Sequence, residues 1–140
     1  RLIAHPDEGE KKRMILLHSA WFVSCAVEHT IHKSLVTPVL FSVGILALAL
    51  CQVVRFSSIK VLGESWVHLP VAYKGQPMVS HGLYRYCRHP NYAVVAVEIA
   101  LVPLLARSYF TAIAFTLANT LFLWRRIRLE ESLLEKARAL

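Results

Sequence analysis

Charge is scarce in this 140-residue chain. Asp, Glu, Lys and Arg together make up 18% of it, where a soluble domain carries about a quarter. Acidic residues are the rarer sign, 9 against 16 Lys and Arg, for a formal net charge of +7. Cysteine is also rare: Cys25, Cys51 and Cys87 are odd in number and form no CxxC pair, which argues against a disulfide framework and a cysteine zinc site. The 7 histidines contain no HxxxH or HExxH pair, and His29 with His32 offers only a weak i,i+3 chelate. No metal is expected. Internal repeats and low-complexity tracts are absent. What is abundant is apolar surface, 56% of residues with a mean hydropathy of +0.47, held in long runs almost free of charge. That composition excludes a disordered chain and a collagen-like repeat, and it points to a multi-span membrane protein.

The runs divide the chain. Residues 1–13 are polar and carry a turn-forming HPDEG stretch. Met14–Ile31 is apolar enough for a span, although it holds His18, Glu28 and His29. Leu35–Val54 is the clearest transmembrane segment, about 20 residues without a charge. A polar connector, 55–91, follows. Tyr92–Ala106 and Tyr109–Trp124 are shorter apolar stretches, about 22–24 Å as helices, and predict a tight hairpin. Residues 125–140 continue as a charged, amphipathic helix. The expected fold is therefore all-α, a transmembrane helical bundle of about four apolar helices forming one membrane-embedded domain over 1–140. Arg1 in place of an initiator Met predicts an internal start, with a further segment upstream.

Four segments imply alternating sides, and the cations test the alternation. Fourteen of the 16 Lys and Arg fall in 1–13, 55–91 and 125–140, leaving Lys33 and Arg107 for the other side. This is the positive-inside pattern, so the connector and the charged tail are expected to share the cytoplasmic face. The basic balance then reports topology, and no nucleic-acid partner is expected.

Three clusters carry candidate chemistry. In the first, Val79 to Tyr92 packs tyrosines, histidines and arginines around the start of an apolar helix whose first residue is Pro90. Free N–H groups at that helix start suit a carboxylate, and tyrosine faces suit an onium cation. S-adenosylmethionine offers both groups; an interfacial aromatic belt with snorkelling arginines is the competing reading. In the second, Asn119, Leu123, Arg126 and Glu130 fall on one helical face, with Glu131 turned 100° away toward solvent. Arg126 suits an anionic substrate group and Glu130 suits hydroxyls, unless the two form a plain i,i+4 pair. In the third, His18, Trp21, Cys25, Glu28 and His32 form a polar stripe on the first span. The stripe either lines a cleft and holds a general base, His18 or Glu28, or it sits among headgroups. Glu98 is costly inside an apolar segment and predicts a partner on a neighbouring helix.

Gly82-x-Tyr84, Arg88-His89-Pro90-Asn91-Tyr92 and Arg126-x-x-x-Glu130-Glu131, the last after two short apolar helices, together resemble the isoprenylcysteine carboxyl methyltransferase family. The likeness covers about residues 55–137, the catalytic half, while Leu17-His18-x-x-Trp21-Phe22 through Glu28 looks more like bacterial members. It implies an integral membrane enzyme using S-adenosylmethionine, bound through Gln76, Pro77, Met78, Val79, Tyr84, His89, Pro90, Asn91, Tyr92 and Glu130. It places the acceptor's carboxylate on Arg126, with the lipophilic or prenylated acceptor entering from the bilayer. A carboxylate acceptor arrives ionised and needs no base; an enol or phenol would call on His18, Glu28 or Glu98. Two other classes compete: a sterol-type membrane reductase using NADPH, and a non-enzymatic scaffold or transporter fragment.

Overall fold

The computed structural model describes residues 8–33, 36–63 and 80–139. Among them all regular structure is helical: α1 (Glu8–His32), α2 (Pro38–Leu62), α3 (Pro90–Leu105) and α4 (Tyr109–Ala139), with a short 3-10 turn at Gly82–Arg85. Thr37 opens α2 by accepting from the Leu40 N–H at 3.4 Å, and Pro38 takes the first helical position. The helix then outruns its expected end at Val54 by eight residues. Arg55 does not break it, because its guanidinium finds Glu98 on α3 at 2.5 Å, and Ser58 donates back to the Val54 carbonyl at 2.8 Å. The polar connector therefore begins at Gly63, whose φ of +52° ends α2.

α3 and α4 form the expected hairpin. Arg107 turns the chain at φ +53°, and the Ser108 N–H donates to the Pro103 carbonyl at 2.7 Å. α4 continues past Trp124 as expected, its apolar half and charged half forming one helix of 31 residues. Two helices, Gly9–His32 and Pro38–Leu62, are long and apolar enough to cross a bilayer, with hydropathies of 1.3 and 2.2. At 16 residues α3 reaches about 24 Å, below the ~30 Å of a hydrocarbon core, and α4 carries charge through its second half. The expectation of four spans thus narrows to two helices that meet the length and hydropathy of a span.

Cross-helix pairs fix the directions. Gln52 with Glu98, and Gly44 against Leu105, set α2 antiparallel to α3. Glu28 with Thr111, and Met14 with Arg126, set α1 antiparallel to α4. One end of the bundle consequently gathers the start of α1, the end of α2, the 3-10 turn, the start of α3 and the charged half of α4. The other end holds Lys33, Thr37 and Arg107.

The bundle buries polar side chains alongside apolar ones and is apolar outside. Ser58, Ser108, Thr111 and Asn119 are buried, while Phe22, Ile31, Leu46, Phe56 and Leu121 are exposed. In the most apolar stretch of α1 and of α2 only 6% of residues are buried, the reverse of a soluble core helix. The seam between α1 and α3 follows from one residue. Pro103 has no N–H, so the Ile99 carbonyl one turn earlier loses its helical donor. The Trp21 indole N–H of α1 supplies the replacement at 3.1 Å. Gly44 lets α2 pack closely on α3: a Cβ there would fall 2.3 Å from Leu105 Cδ2, and the leucine side chain would have to shift.

Candidate active site

The charged end holds a corner built on the first turn of α3. Gly82 takes φ +63°, and a Cβ there would lie 2.9 Å from Val61 Cγ2, so only glycine lets the turn press against α2. The turn sets Tyr84 beside Ser58, and burial pushes the Tyr84 hydroxyl above the ordinary tyrosine range, with the Glu130 charge adding to the effect. Pro90 starts α3 as expected, and Tyr92 two residues later donates its hydroxyl to Glu130 at 2.6 Å. The Arg126 guanidinium lies 5.6 Å from the Tyr92 ring centroid. On the other side His89 stacks on Tyr92, with centroids 5.4 Å apart, and its Nε2 is 3.6 Å from Glu131. The line predicted on α4 faces inward, Asn119, Leu123 and Arg126 all being buried. Glu131 departs from the expectation: it is half-buried and pairs with Arg88 and His89, because α3's start projects over that side of α4.

Tyr84, His89, Tyr92, Arg126 and Glu130 are thus brought together, with Pro90 and Asn91 in the same first turn. Gln76, Pro77, Met78 and Val79 lie outside the described residues. His89 gives α3 no side-chain cap, and two buried atoms of this corner, His89 Nε2 and Asn91 Oδ1, have no hydrogen-bond partner among the described residues. Buried polar atoms are ordinarily paired, and the neighbour that His89 Nε2 has, Glu131 at 3.6 Å, is beyond hydrogen-bond distance.

Two of the three base candidates, Glu28 and Glu98, are committed to neighbouring helices. Glu28 accepts from the Phe110 and Thr111 N–H groups and the Thr111 hydroxyl, all within 2.9 Å, and so caps α4 at the end opposite Glu130. A carboxylate with both oxygens committed at a helix start is a structural group there. Glu98 is held by Gln52 and Arg55 of α2, the interhelical partner its cost predicted. The His18 Nδ1 is 2.9 Å from the Met14 carbonyl of its own helix. The α1 stripe is a packing seam: Trp21 meets Ile99, Cys25 meets Ser108 and Glu28 meets Thr111, while His32 is exposed.

A model of the isoprenylcysteine carboxyl methyltransferase family matches residues 42–136, from α2 through most of α4. The chain belongs to that family. It is 35% identical over 130 residues to the uncharacterised protein YpbQ of Bacillus subtilis, covering 92% of this chain and 76% of that protein. It is 29% identical over 140 residues to the protein-S-isoprenylcysteine O-methyltransferase of Dictyostelium discoideum, covering 93% of this chain and 59% of the relative. A protein of the same name in Tribolium castaneum is 27% identical, and the chain spans 51% of its length. The chain therefore spans between half and three fifths of these two named methyltransferases. No solved structure matches it.

Within this family segment an apolar groove of about 350 Å3 opens between α2, α3 and the 3-10 turn, lined by Leu50, Val54, Leu83, Tyr86, Val94 and Val97. It lies on the α2 side of α3, with Pro90 joining it to the corner where His89 and Tyr92 sit. Two participants escape a reading by residue type. Met14 contacts Arg126, and Glu10, at 1% exposed, pairs with Arg125. Both extend the α1 stripe backward by one and two turns, the periodicity that would have found them.

Proposed function

We propose that the chain is an integral membrane methyltransferase that moves a methyl group from S-adenosylmethionine to a carboxylate oxygen of a prenylcysteine-like acceptor, with its site on the cytoplasmic side. The observation that carries the reading is the meeting of half-buried Tyr92 and Glu130 with buried Arg126 inside the family-matched segment. The orphaned polar atoms of His89 and Asn91 and the uncapped start of α3 fit the carboxylate and amino group of the cofactor. When bound, S-adenosylmethionine supplies an electrophilic methyl group on a sulfonium centre.

The chain's own residues bind, orient and exclude water. Glu130, held by Tyr92, accepts from hydroxyl or amino groups, and the faces of Tyr84 and Tyr92 favour a positive centre. Arg126 fixes the acceptor's carboxylate by charge-assisted hydrogen bonds, so the contribution to rate is positioning, worth several kcal/mol. An ionised carboxylate needs no general base, which agrees with Glu28 and Glu98 being committed to neighbouring helices. An apolar groove open to the lipid-facing surface supports a hydrocarbon-tailed acceptor. The basic residues at the same end support a cytoplasmic orientation. The family match favours methyl transfer over an NADPH reductase or a scaffold.

The test is labelled methyl transfer in membranes against a prenylcysteine, an alkylpyrone and a phosphatidylethanolamine, with the prenylcysteine expected to accept. By calorimetry, Glu130→Ala and His89→Ala lose S-adenosylmethionine binding while remaining folded in detergent. Arg126→Ala raises the acceptor KM about tenfold or more with cofactor affinity intact. Unchanged cofactor affinity in both the Glu130 and His89 variants sinks the assignment.

A further inference from the structure

The Arg126 guanidinium has a contact that its chemistry does not favour. It is 7% exposed, and its Nη1 donates to the Met14 thioether at 3.2 Å. A guanidinium is shaped for oxygen anions, whereas thioether sulfur is a weak acceptor. The first turns of α1 impose the contact. Glu10 pairs with Arg13 on its own helix and with Arg125 on α4 at 3.3 Å, and one turn later Met14 meets Arg126. This helix lies outside the residues matched by the family model, so Met14 belongs to the part of the chain that the shared segment does not specify.

We propose that Met14 is a specificity-determining residue: its thioether covers the Arg126 guanidinium and is displaced by the acceptor, which makes the site select lipids bearing an ionised carboxylate. The inference rests on the reading of Arg126 as the acceptor's contact. At Nη1 a carboxylate exchanges a weak N–H···S contact for a charge-assisted bond, so displacement of the thioether is favourable there. A neutral enol, phenol or amide gains far less from the same exchange and must still move the methionine. Methionine suits the task because its unbranched, flexible side chain can leave without disturbing the helix.

The experiment uses the full chain in nanodiscs, with S-farnesylcysteine and its carboxamide as probes and binding followed by calorimetry. Wild type is expected to bind the carboxylate about tenfold more tightly than the carboxamide. Met14→Glu places a carboxylate permanently on Arg126. It should raise the Kd and KM for S-farnesylcysteine about tenfold and abolish the preference over the carboxamide, with S-adenosylmethionine affinity within about twofold of wild type. Met14→Leu removes the competing contact and should lower the KM about two- to threefold. If Met14→Glu does not fold, Met14→Gln, a stronger neutral acceptor than sulfur, decides through an intermediate rise of about threefold. A carboxylate-to-carboxamide ratio in Met14→Glu, or in Met14→Gln, equal to that of wild type overturns the inference. Failure of wild type itself to bind S-adenosylmethionine would instead overturn the methyltransferase reading.

Discussion

The bond from Trp21 to the Ile99 carbonyl can be isolated by a double-mutant cycle, because a second residue decides whether it is needed. In wild type the Ile99 carbonyl has no helical donor, since the residue four ahead is Pro103, and the Trp21 indole replaces it at 3.1 Å. Ile99 is 2% exposed, so water cannot substitute. Trp21→Phe therefore removes a hydrogen bond and strands a buried acceptor, costing about 1–3 kcal/mol, and it also loses packing volume. In the Pro103→Ala background the helix regains its own N–H, the carbonyl is satisfied locally, and Trp21→Phe should cost only the packing share. The difference between the two costs is the coupling energy. Interhelical hydrogen bonds in membranes average about 0.6 and reach about 1.7 kcal/mol, and a carbonyl with no local donor belongs toward the upper value, near 1–1.5 kcal/mol. Reversible unfolding of the four proteins in mixed micelles by sodium dodecyl sulfate, followed by circular dichroism, measures it. A coupling below about 0.3 kcal/mol, the usual additivity error, would refute the idea that Trp21 compensates Pro103.

Glu28→Gln keeps the shape of the α4 cap but halves its acceptor oxygens, and should lower stability by about 1–2 kcal/mol. Because the cap sits about 28 Å along α4 from Glu130, S-adenosylmethionine affinity should stay within about twofold; a tenfold loss of turnover at unchanged stability would restore Glu28 as a base. Gly82→Ala forces an L side chain into φ +63° with its Cβ 2.9 Å from Val61, and should cost about 1–2 kcal/mol while weakening cofactor binding several-fold through Tyr84. Adding Val61→Ala should recover the steric share but not the backbone share. Full recovery of stability would show the positive φ to be costless.

Periodicity and charge placement made the helical class, the α3–α4 hairpin and the gathering of basic residues legible, because each depends on residue spacing alone. Arg126 and Glu130 share a face at any α4 position, and Pro90 starts a helix wherever it stands. Partner choice was not legible. The sequence could say that Glu28 and Glu98 were expensive in apolar runs, but only the antiparallel register decides that one meets the start of α4 and the other meets Arg55. The end of α2 was misplaced for a related reason: Arg55 reads as the start of a polar loop until Glu98 lies across from it. Met14 was missed because a thioether in an apolar run carries no sign of the cation it faces.

Both ends of the bundle hold a buried polar atom without a hydrogen-bond partner among the described residues, Arg107 Nε at one and His89 Nε2 and Asn91 Oδ1 at the other, but the first end carries the denser set of interhelical bonds. At the end holding Lys33 and Arg107, Glu28 accepts three hydrogen bonds, Ser108 donates to the Cys25 carbonyl at 3.1 Å, and the Ser24 and Thr111 hydroxyls meet at 2.8 Å. These bonds tie α1 to the hairpin and cost nothing further when a ligand arrives. At the other end Glu10 Oε2, His89 Nε2 and Asn91 Oδ1 are buried without hydrogen-bond partners among the described residues. A buried polar atom costs about 1–3 kcal/mol if nothing pairs with it, and either a water or a polar ligand group can remove that cost. The tied end supplies the rigidity that holds those atoms in place without a ligand, so stability and binding are separated along one 31-residue helix. Under the proposed function a ligand at the charged end would meet groups already ordered, with the α1 turn carrying Met14 left to adjust.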